Sequence, residues 1–93
     1  MNKTNELKRA LKAKAHHLKP VIIIGQKGLT QAVQLEIERA LIDHELIKIK
    51  VNASDKQERQ AMVDEICQER GAMLIQIIGS MATIYRESED NKK

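Results

Sequence analysis

Aromatic residues are nearly absent, since the 93-residue chain has one tyrosine, Tyr85, and neither tryptophan nor phenylalanine. Proteins that read single-stranded nucleic acid usually stack several bases on aromatic rings, so multi-base stacking is not expected. The one cysteine, Cys67, excludes an intramolecular disulfide and favours a cytoplasmic location. No apolar run approaches the roughly 20 residues that a membrane span needs. We therefore expect neither a transmembrane helix nor a signal peptide.

Glycine and proline are also scarce, and all four glycines and the single proline lie between segments of regular apolar spacing. They therefore mark the boundaries of secondary structure. A 93-residue chain can enclose one hydrophobic core but not two. We predict one domain over residues 1–86 and a polar tail over residues 87–93 that is too hydrophilic to be ordered.

The first half of the chain predicts the order α-β-α. Leucines on one helix face predict a helix over residues 5–18, with Thr4 as its N-cap. The β-branched run Val21–Ile24 is apolar on both faces, as expected of a strand in the middle of a sheet. A second helix follows the next two glycines, with Thr30 as its N-cap.

The second half predicts the order β-α-β-β. In residues 46–51, Ile47, Ile49 and Val51 alternate with Leu46, Lys48 and Lys50. This spacing predicts a strand with one apolar face and a solvent-facing side that carries two lysines. Ser54 and Gln57 match a capping box, and Gly71 suits the end of the helix that they begin. Gly79-Ser80 between two apolar runs predicts a type II′ hairpin. The whole order predicts an α/β fold, a single compact domain with helices packed on a mixed four-stranded sheet.

Positive charge is concentrated in the first 28 residues, where seven lysines and arginines face the single acid Glu6, giving +6. The remainder holds nine bases and twelve acids, giving −3. Five bases share an arc of roughly 100° on the wheel of the first helix. They are Lys8, Arg9, Lys12, His16 and Lys19. Such an arc is either a solvated helix face or an anion-binding surface, and the lack of acidic partners favours the second interpretation.

Gly25-Gln26-Lys27-Gly28 connects the first strand to the second helix. Its backbone N–H groups and the positive end of the helix dipole can hold a phosphate, with charge from Lys27. A tight turn without a ligand is the alternative. The motif lacks the third glycine of a dinucleotide fingerprint and the Gly-Lys-Ser/Thr end of a P-loop, so nucleotide-dependent chemistry is not expected. We hypothesise that the loop and the basic arc form one phosphate-binding surface.

No group of residues predicts catalysis, a metal or another cofactor. His16 and His17 point about 100° apart on a helix, and no spacing typical of metal ligands is present. Cys67 lies on the apolar face of the third predicted helix, which is expected to pack in the core. The residues around Glu36 and Glu38 do not suggest an apolar pocket, so both glutamates are interpreted as part of a solvent-exposed helix face. We expect a protein that is not an enzyme and has no small-molecule substrate.

Several blocks of sequence occur together: AHHLKPVIIIGQKGLTQAV, then EIERAL, HELIKIKV, QIIG and IYR. In this combination the chain resembles the CRM domain (chloroplast RNA splicing and ribosome maturation) up to Arg86, and a single such domain is most similar to the bacterial YhbY family. The resemblance implies a fold like the C-terminal domain of translation initiation factor three. It also implies RNA binding through the loop Gly25–Gly28 and nearby bases, and association with precursors of the large ribosomal subunit.

We therefore expect a monomeric assembly factor that contacts structured ribosomal RNA and no membrane. The alternative is a protein-interaction module that docks its basic face on an acidic ribosomal protein or translation factor. Tyr85 is expected in the core, while Arg86 is expected either to contact RNA or to pair with a carboxylate. A role of Lys48 and Lys50 at the RNA surface is left open by the sequence.

Overall fold

The computed structural model describes residues 3–88, in which three helices surround a four-stranded sheet. The elements in chain order are α1 (Lys3–Ala15), β1 (Ile22–Ile24), α2 (Gln31–His44), β2 (Leu46–Val51), α3 (Lys56–Arg70), β3 (Met73–Ile78) and β4 (Met81–Tyr85). The predicted α/β order is confirmed. Within residues 3–88, no helix combines the length and apolar character that crossing a membrane requires.

The strands lie in the order β1-β2-β4-β3, so the sheet is mixed as predicted. β1 pairs with β2 in parallel, whereas β4 pairs antiparallel with both β2 and β3. Ile78 and Met81 pair at the end of the β3–β4 hairpin. The intervening Gly79 has φ +59° and the φ of Ser80 is not positive, which confirms the type II′ turn.

β1 lies at an edge of the sheet, so the prediction of a central strand is wrong. Ile22 and Ile24 are buried, whereas Val21 and Ile23 are 51% and 61% exposed. An apolar run on both faces is equally compatible with an edge strand that packs only one face on a helix, here on α2. Packing in the core therefore does not explain why positions 21 and 23 carry apolar side chains.

α1 ends at Ala15, three residues before the predicted end. The next residues form a turn in which the His16 and Leu18 N–H groups donate to the third carbonyl before each. Pro20 disfavours helical backbone at the residue before it, so the helix ends ahead of the proline. Thr4 lies inside α1 and not at its N-cap position.

α3 begins one residue later than the predicted capping box. Its N-cap is Asp55, whose Oδ1 accepts a hydrogen bond from the Glu58 N–H at 2.7 Å. Ser54 donates to the Glu58 carboxylate at 2.6 Å, so it supports the turn, and the prediction of Ser54 with Gln57 is wrong. A carboxylate at the N-cap also interacts favourably with the helix dipole. Gly71 is the C-cap, with left-handed φ +63°, as predicted.

The sheet has two sides that differ in what packs on them. Cross-strand partners share a face, and alternate residues point to opposite faces. On one side, α2 and α3 cover the main core. Its fully enclosed residues include Ile24, Ile37, Leu41, Ile47, Ile49, Val51, Val63, Ile66 and Ile84. We call this the α2/α3 side. On the other, which we call the α1 side, α1 buries Leu11 and Ala15.

Arg86 pairs with a carboxylate, which resolves the alternative left by the sequence. Its Nη1 and Nη2 donate to the two Glu38 carboxylate oxygens at 2.8 and 2.9 Å, and Nη1 also donates to the Arg70 carbonyl at 2.9 Å. The interpretation of Glu38 as part of a solvated face is therefore wrong. The Arg86 hydrogen bonds lower the pKa of Glu38, and the same bonds raise the pKa of Arg86. The pair joins the end of β4 to both helices of the α2/α3 side.

Ser88, at the start of the predicted polar tail, contacts the end of α2. Ser88 is buried, and its N–H donates to the Glu45 carboxylate at 2.7 Å. Glu45 caps α2 with a positive φ of 64°, a conformation that a residue other than glycine adopts with strain. The predicted disorder of the polar tail stays a prediction, and residues 89–93 lie outside the described residues.

Candidate nucleic-acid interface

The predicted basic arc occupies two structural segments. Lys8, Arg9 and Lys12 lie on α1, where Lys8 is half-buried and the other two are exposed. His16 and Lys19 follow the end of the helix, so the wheel that placed all five on one helical face is wrong for these two. Both are exposed. Within residues 3–88, none of the five forms a salt bridge with a carboxylate.

The loop Gly25–Gly28 is a tight turn. The Gly28 N–H donates to the Gly25 carbonyl at 3.1 Å, and Gly28 has φ +72°. The Thr30 N–H donates to the Gly28 carbonyl at 3.0 Å, and the Thr30 hydroxyl accepts from the Val33 N–H at 3.2 Å. The predicted N-cap is therefore confirmed. These bonds join the turn rigidly to the first turn of α2.

The loop presents unused hydrogen-bond donors. Gln26 and Lys27 are exposed, and their N–H groups make no backbone hydrogen bond within the described part of the chain. Thr30 satisfies the N–H of Val33, whereas the first N–H groups of any helix lack an intrahelical acceptor. The exposed residues Gln26 and Lys27 thus offer backbone donors and a positive charge a few residues before the N-terminus of α2, an arrangement that suits an anion such as phosphate.

The two glycines of the loop differ in what the fold demands. Gly28 needs its left-handed φ of +72° to close the turn. Gly25 has no positive φ, and a Cβ built there meets no atom within 4 Å. The fold therefore does not require glycine at position 25. A bare backbone at an open surface does allow close approach by a ligand.

The loop and the basic residues after α1 are separated by a short strand. β1 has three residues, and the six peptide units from Lys19 to Gly25 span at most about 20 Å. The exposed side chains of Val21 and Ile23 alternate with the buried Ile22 and Ile24 and therefore lie on the α1 side of this segment. Contact between Lys27 and the bases of α1 stays a prediction.

The sheet separates the charges of the described chain. α1 carries five bases and one acid. α2 and α3 together carry four bases and seven acids. The asymmetry along the sequence is thus an asymmetry between the α1 side and the α2/α3 side. A surface with one sign of charge concentrates counter-ions, here polyanions, at the α1 side.

A groove of about 650 Å³ lies between α1 and β2. Leu7, Leu11, Leu46 and Tyr85 are among the residues that line it, together with the cationic residues Lys14, Lys19 and Lys48. Tyr85 is half-buried and so belongs only partly to the core, and burial is the largest cause of its raised pKa. Sequence reasoning missed this groove because it forms between residues far apart in the chain.

In residues 3–88, the Cys67 thiol is not activated and no metal-binding cluster forms. Burial raises the pKa of the Cys67 thiol to about 11, with a further contribution from Asp64, so the thiol is protonated at neutral pH. Among residues 3–88, no three histidine, cysteine or acidic side chains gather as metal ligands would.

Comparison with known proteins identifies the family. Residues 4–86 match the description of the CRS1/YhbY (CRM) domain. A probable RNA-binding protein of Pseudomonas aeruginosa is 46% identical over 90 residues, covering 97% of this chain and 86% of that protein. An RNA-binding protein of Haemophilus influenzae is 46% identical over 85 residues, covering 91% of this chain and 86% of that protein.

A solved structure shares the fold. The solution structure of a hypothetical protein from Staphylococcus aureus, presented there as an RNA-binding candidate, superimposes with a TM-score of 0.82 at 33% identity. The match covers 94% of this chain and 91% of that one. The names of these relatives describe binding and not catalysis. The chain belongs to the CRS1/YhbY (CRM) domain family.

Proposed function

We propose that the protein binds structured ribosomal RNA with its α1 side and acts as an assembly factor on precursors of the large ribosomal subunit. The observation that carries the proposal is the separation of charge by the sheet, with five bases and one acid on α1. The relatives named as RNA-binding proteins support RNA as the polyanion. The resemblance to YhbY proteins supports the choice of the large subunit.

Phosphate contacts are the main source of affinity in this mechanism. The loop Gly25, Gln26, Lys27 and Gly28 holds a phosphate through its backbone donors. The surrounding positive field comes from Lys8, Arg9, Lys12, His16 and Lys19. A single half-buried tyrosine gives little surface for stacking, so contacts to the backbone and 2′-hydroxyls of folded RNA predominate. If about five phosphates are neutralised, log K falls against log salt with a slope of roughly −3.5 to −4.5.

The test is sedimentation of the tagged protein from a cell lysate at low and moderate salt, with and without ribonuclease. The variants are Lys12→Glu on α1 and Lys27→Glu in the loop. Lys56→Glu is the matched control, because Lys56 is an exposed lysine at the start of α3, on the α2/α3 side. We expect co-migration with large-subunit precursors that Lys12→Glu, Lys27→Glu, salt and ribonuclease each abolish.

Two results would overturn the proposal. Co-migration that survives ribonuclease and both charge reversals identifies a protein partner, which is the interaction-module alternative. A salt slope near zero with purified ribosomal RNA rejects phosphate contacts altogether. The proposal includes a cytoplasmic location and a monomeric state, which fractionation and light scattering on the purified protein will test.

A further inference from the structure

Two lysines lie on one face of the central strand β2. Lys48 and Lys50 alternate with the buried residues Ile47, Ile49 and Val51, so both side chains point to the α1 side. They are two residues apart on one face, roughly 7 Å along the strand. Both are half-buried.

The strand partners of the two lysines carry no charge. Lys48 pairs with Thr83 on β4, and its carbonyl accepts from the Val21 N–H at 3.0 Å on the other side. Lys50 lies between Met81 on β4 and Ile23 on β1. In the described chain, neither lysine forms a salt bridge. Neither lysine finds a counter-charge on the neighbouring strands, so strand pairing does not explain why lysine occupies both positions.

The two lysines lie beside two exposed apolar residues, Val21 just before β1 and Ile23 within it. Val21 and Ile23 are 51% and 61% exposed on the same face. We call Val21, Ile23, Lys48 and Lys50 the β1–β2 strip. At one end, Lys48 and Val21 line the groove beside α1 together with Lys19. At the other end, the Asn52 N–H donates to the Ile24 carbonyl at 3.0 Å, so β2 follows β1 to the start of the loop Gly25–Gly28.

We infer that the β1–β2 strip is an RNA-contact surface in which Lys48 and Lys50 bind phosphates and Val21 and Ile23 pack against the sugars. The inference rests on the proposed function, because it extends the RNA surface of the α1 side across the sheet. Charge complementarity selects the ligand, since the strip carries two cations and no acid. The strip also lies between the two segments proposed to hold phosphate. RNA that follows the direct path along β1 between the two segments passes over the strip.

The test uses Lys48→Met, Lys50→Met and the double variant. Methionine keeps the length of the apolar stem, so the sheet is expected to stay folded, and thermal unfolding checks this. Lys56→Met on α3 is the matched control. Binding of a fluorescein-labelled stem-loop RNA is titrated over a series of salt concentrations. Each strip variant is expected to reduce the magnitude of the salt slope by about 0.7 to 0.9, and the double variant by about twice that amount. Lys56→Met is expected to leave the slope unchanged.

The comparison with Lys12→Glu and Lys27→Glu separates this inference from the proposed function. If those two variants weaken binding while the strip variants retain the wild-type slope, the strip is not an RNA contact and the proposed function still holds. If the wild type itself shows no salt-dependent binding, the proposed function fails and the strip inference with it. If the strip instead binds a second copy of the chain, light scattering will show a dimer that Ile23→Lys disrupts. The salt slope of RNA binding will then be the same for Lys48→Met and Lys50→Met as for the wild type. That result would also overturn the inference.

Discussion

The two glycines of the loop are expected to respond in opposite directions when each is replaced by alanine. Gly28 has φ +72°, and a Cβ placed on it lies 3.8 Å from the Met62 methyl carbon, an ordinary contact distance. The cost of Gly28→Ala therefore comes from backbone conformation alone, about 1–2 kcal/mol. For a domain of this size, each kcal/mol shifts the Tm by about 4–8 °C, so the Tm of Gly28→Ala falls by about 4–16 °C.

Gly25→Ala is expected to stabilise the free protein. Its φ is not positive, and its Cβ meets nothing within 4 Å. Alanine reduces the conformational freedom of the unfolded chain, which raises the free energy of unfolding by about 0.4–1 kcal/mol. In the complex, however, the new methyl group occupies the space through which phosphate approaches the loop. Loss of one charged hydrogen bond costs about 1.5–3 kcal/mol, so RNA affinity falls about tenfold or more.

Thermal unfolding and RNA titration of both variants test this reasoning. The informative pattern is a more stable Gly25→Ala protein that binds RNA less well, beside a less stable Gly28→Ala protein. Measurements are made well below either Tm so that unfolding does not contribute to lost binding. A Gly25→Ala protein that binds RNA as the wild type does would refute close approach of phosphate at this position. An unchanged Tm for Gly28→Ala would refute the conformational argument.

Three further predictions concern stability and reactivity. Arg86→Met removes the bidentate partner of Glu38 and is expected to lower the free energy of unfolding by about 1–2 kcal/mol in urea, because partial exposure reduces the full value of a charged pair. Because the pKa of Glu38 is lowered in the folded protein, the pair stabilises the fold fully above pH 4.5, the ordinary pKa of a glutamate, and this stabilisation is lost as pH falls through the lowered pKa. If the stability difference between wild type and Arg86→Met keeps its full size in strong acid, the ion pair is not its cause. Asp55→Ala removes the N-cap of α3 and is expected to cost about 1 kcal/mol by the same titration, whereas an unchanged midpoint would show that Ser54 replaces the cap. Because burial raises its pKa to about 11, Cys67 is expected to react slowly with a thiol reagent at neutral pH and faster with each rise in pH, and a rate that levels off before pH 9 would contradict this.

Local signals in the sequence predicted the elements whose residues specify them directly. The alternation of residues 46–51 gave β2 the correct buried face, and Thr30 and Gly71 marked the correct helix ends. The lysine-bearing face was expected to meet solvent but is half-buried, because α1 packs on that side of the sheet. Helix periodicity failed beyond Ala15, because Leu18 continues the apolar spacing although Pro20 prevents the helix from reaching it. Periodicity records which face of a segment is apolar and contains no information on where the backbone leaves the helix.

Features that depend on strand order could not be obtained from the sequence. Val21–Ile24 has the composition of a central strand, and only the order β1-β2-β4-β3 shows that it lies at an edge. The uncharged strand partners of Lys48 and Lys50 depend on the registers of β2 with β1 and β4. The bond between Glu38 and Arg86 joins residues 48 positions apart. The loop motif and the charges near the N-terminus are local in the chain, so this part of the candidate site was accessible from sequence.

The topology explains how bases that are concentrated near the N-terminus of the chain come to lie on one surface of the folded protein. β1 and β2 are parallel, so α2 must cross one face of the sheet between them, and α3 packs on the same face before β3. α1 precedes the sheet and packs on the other face, where it buries Leu11 and Ala15. Most of the core is therefore enclosed by the two acidic helices. The charges of α1 are free to repel one another at small cost to the core, and an anion that binds there relieves that repulsion directly.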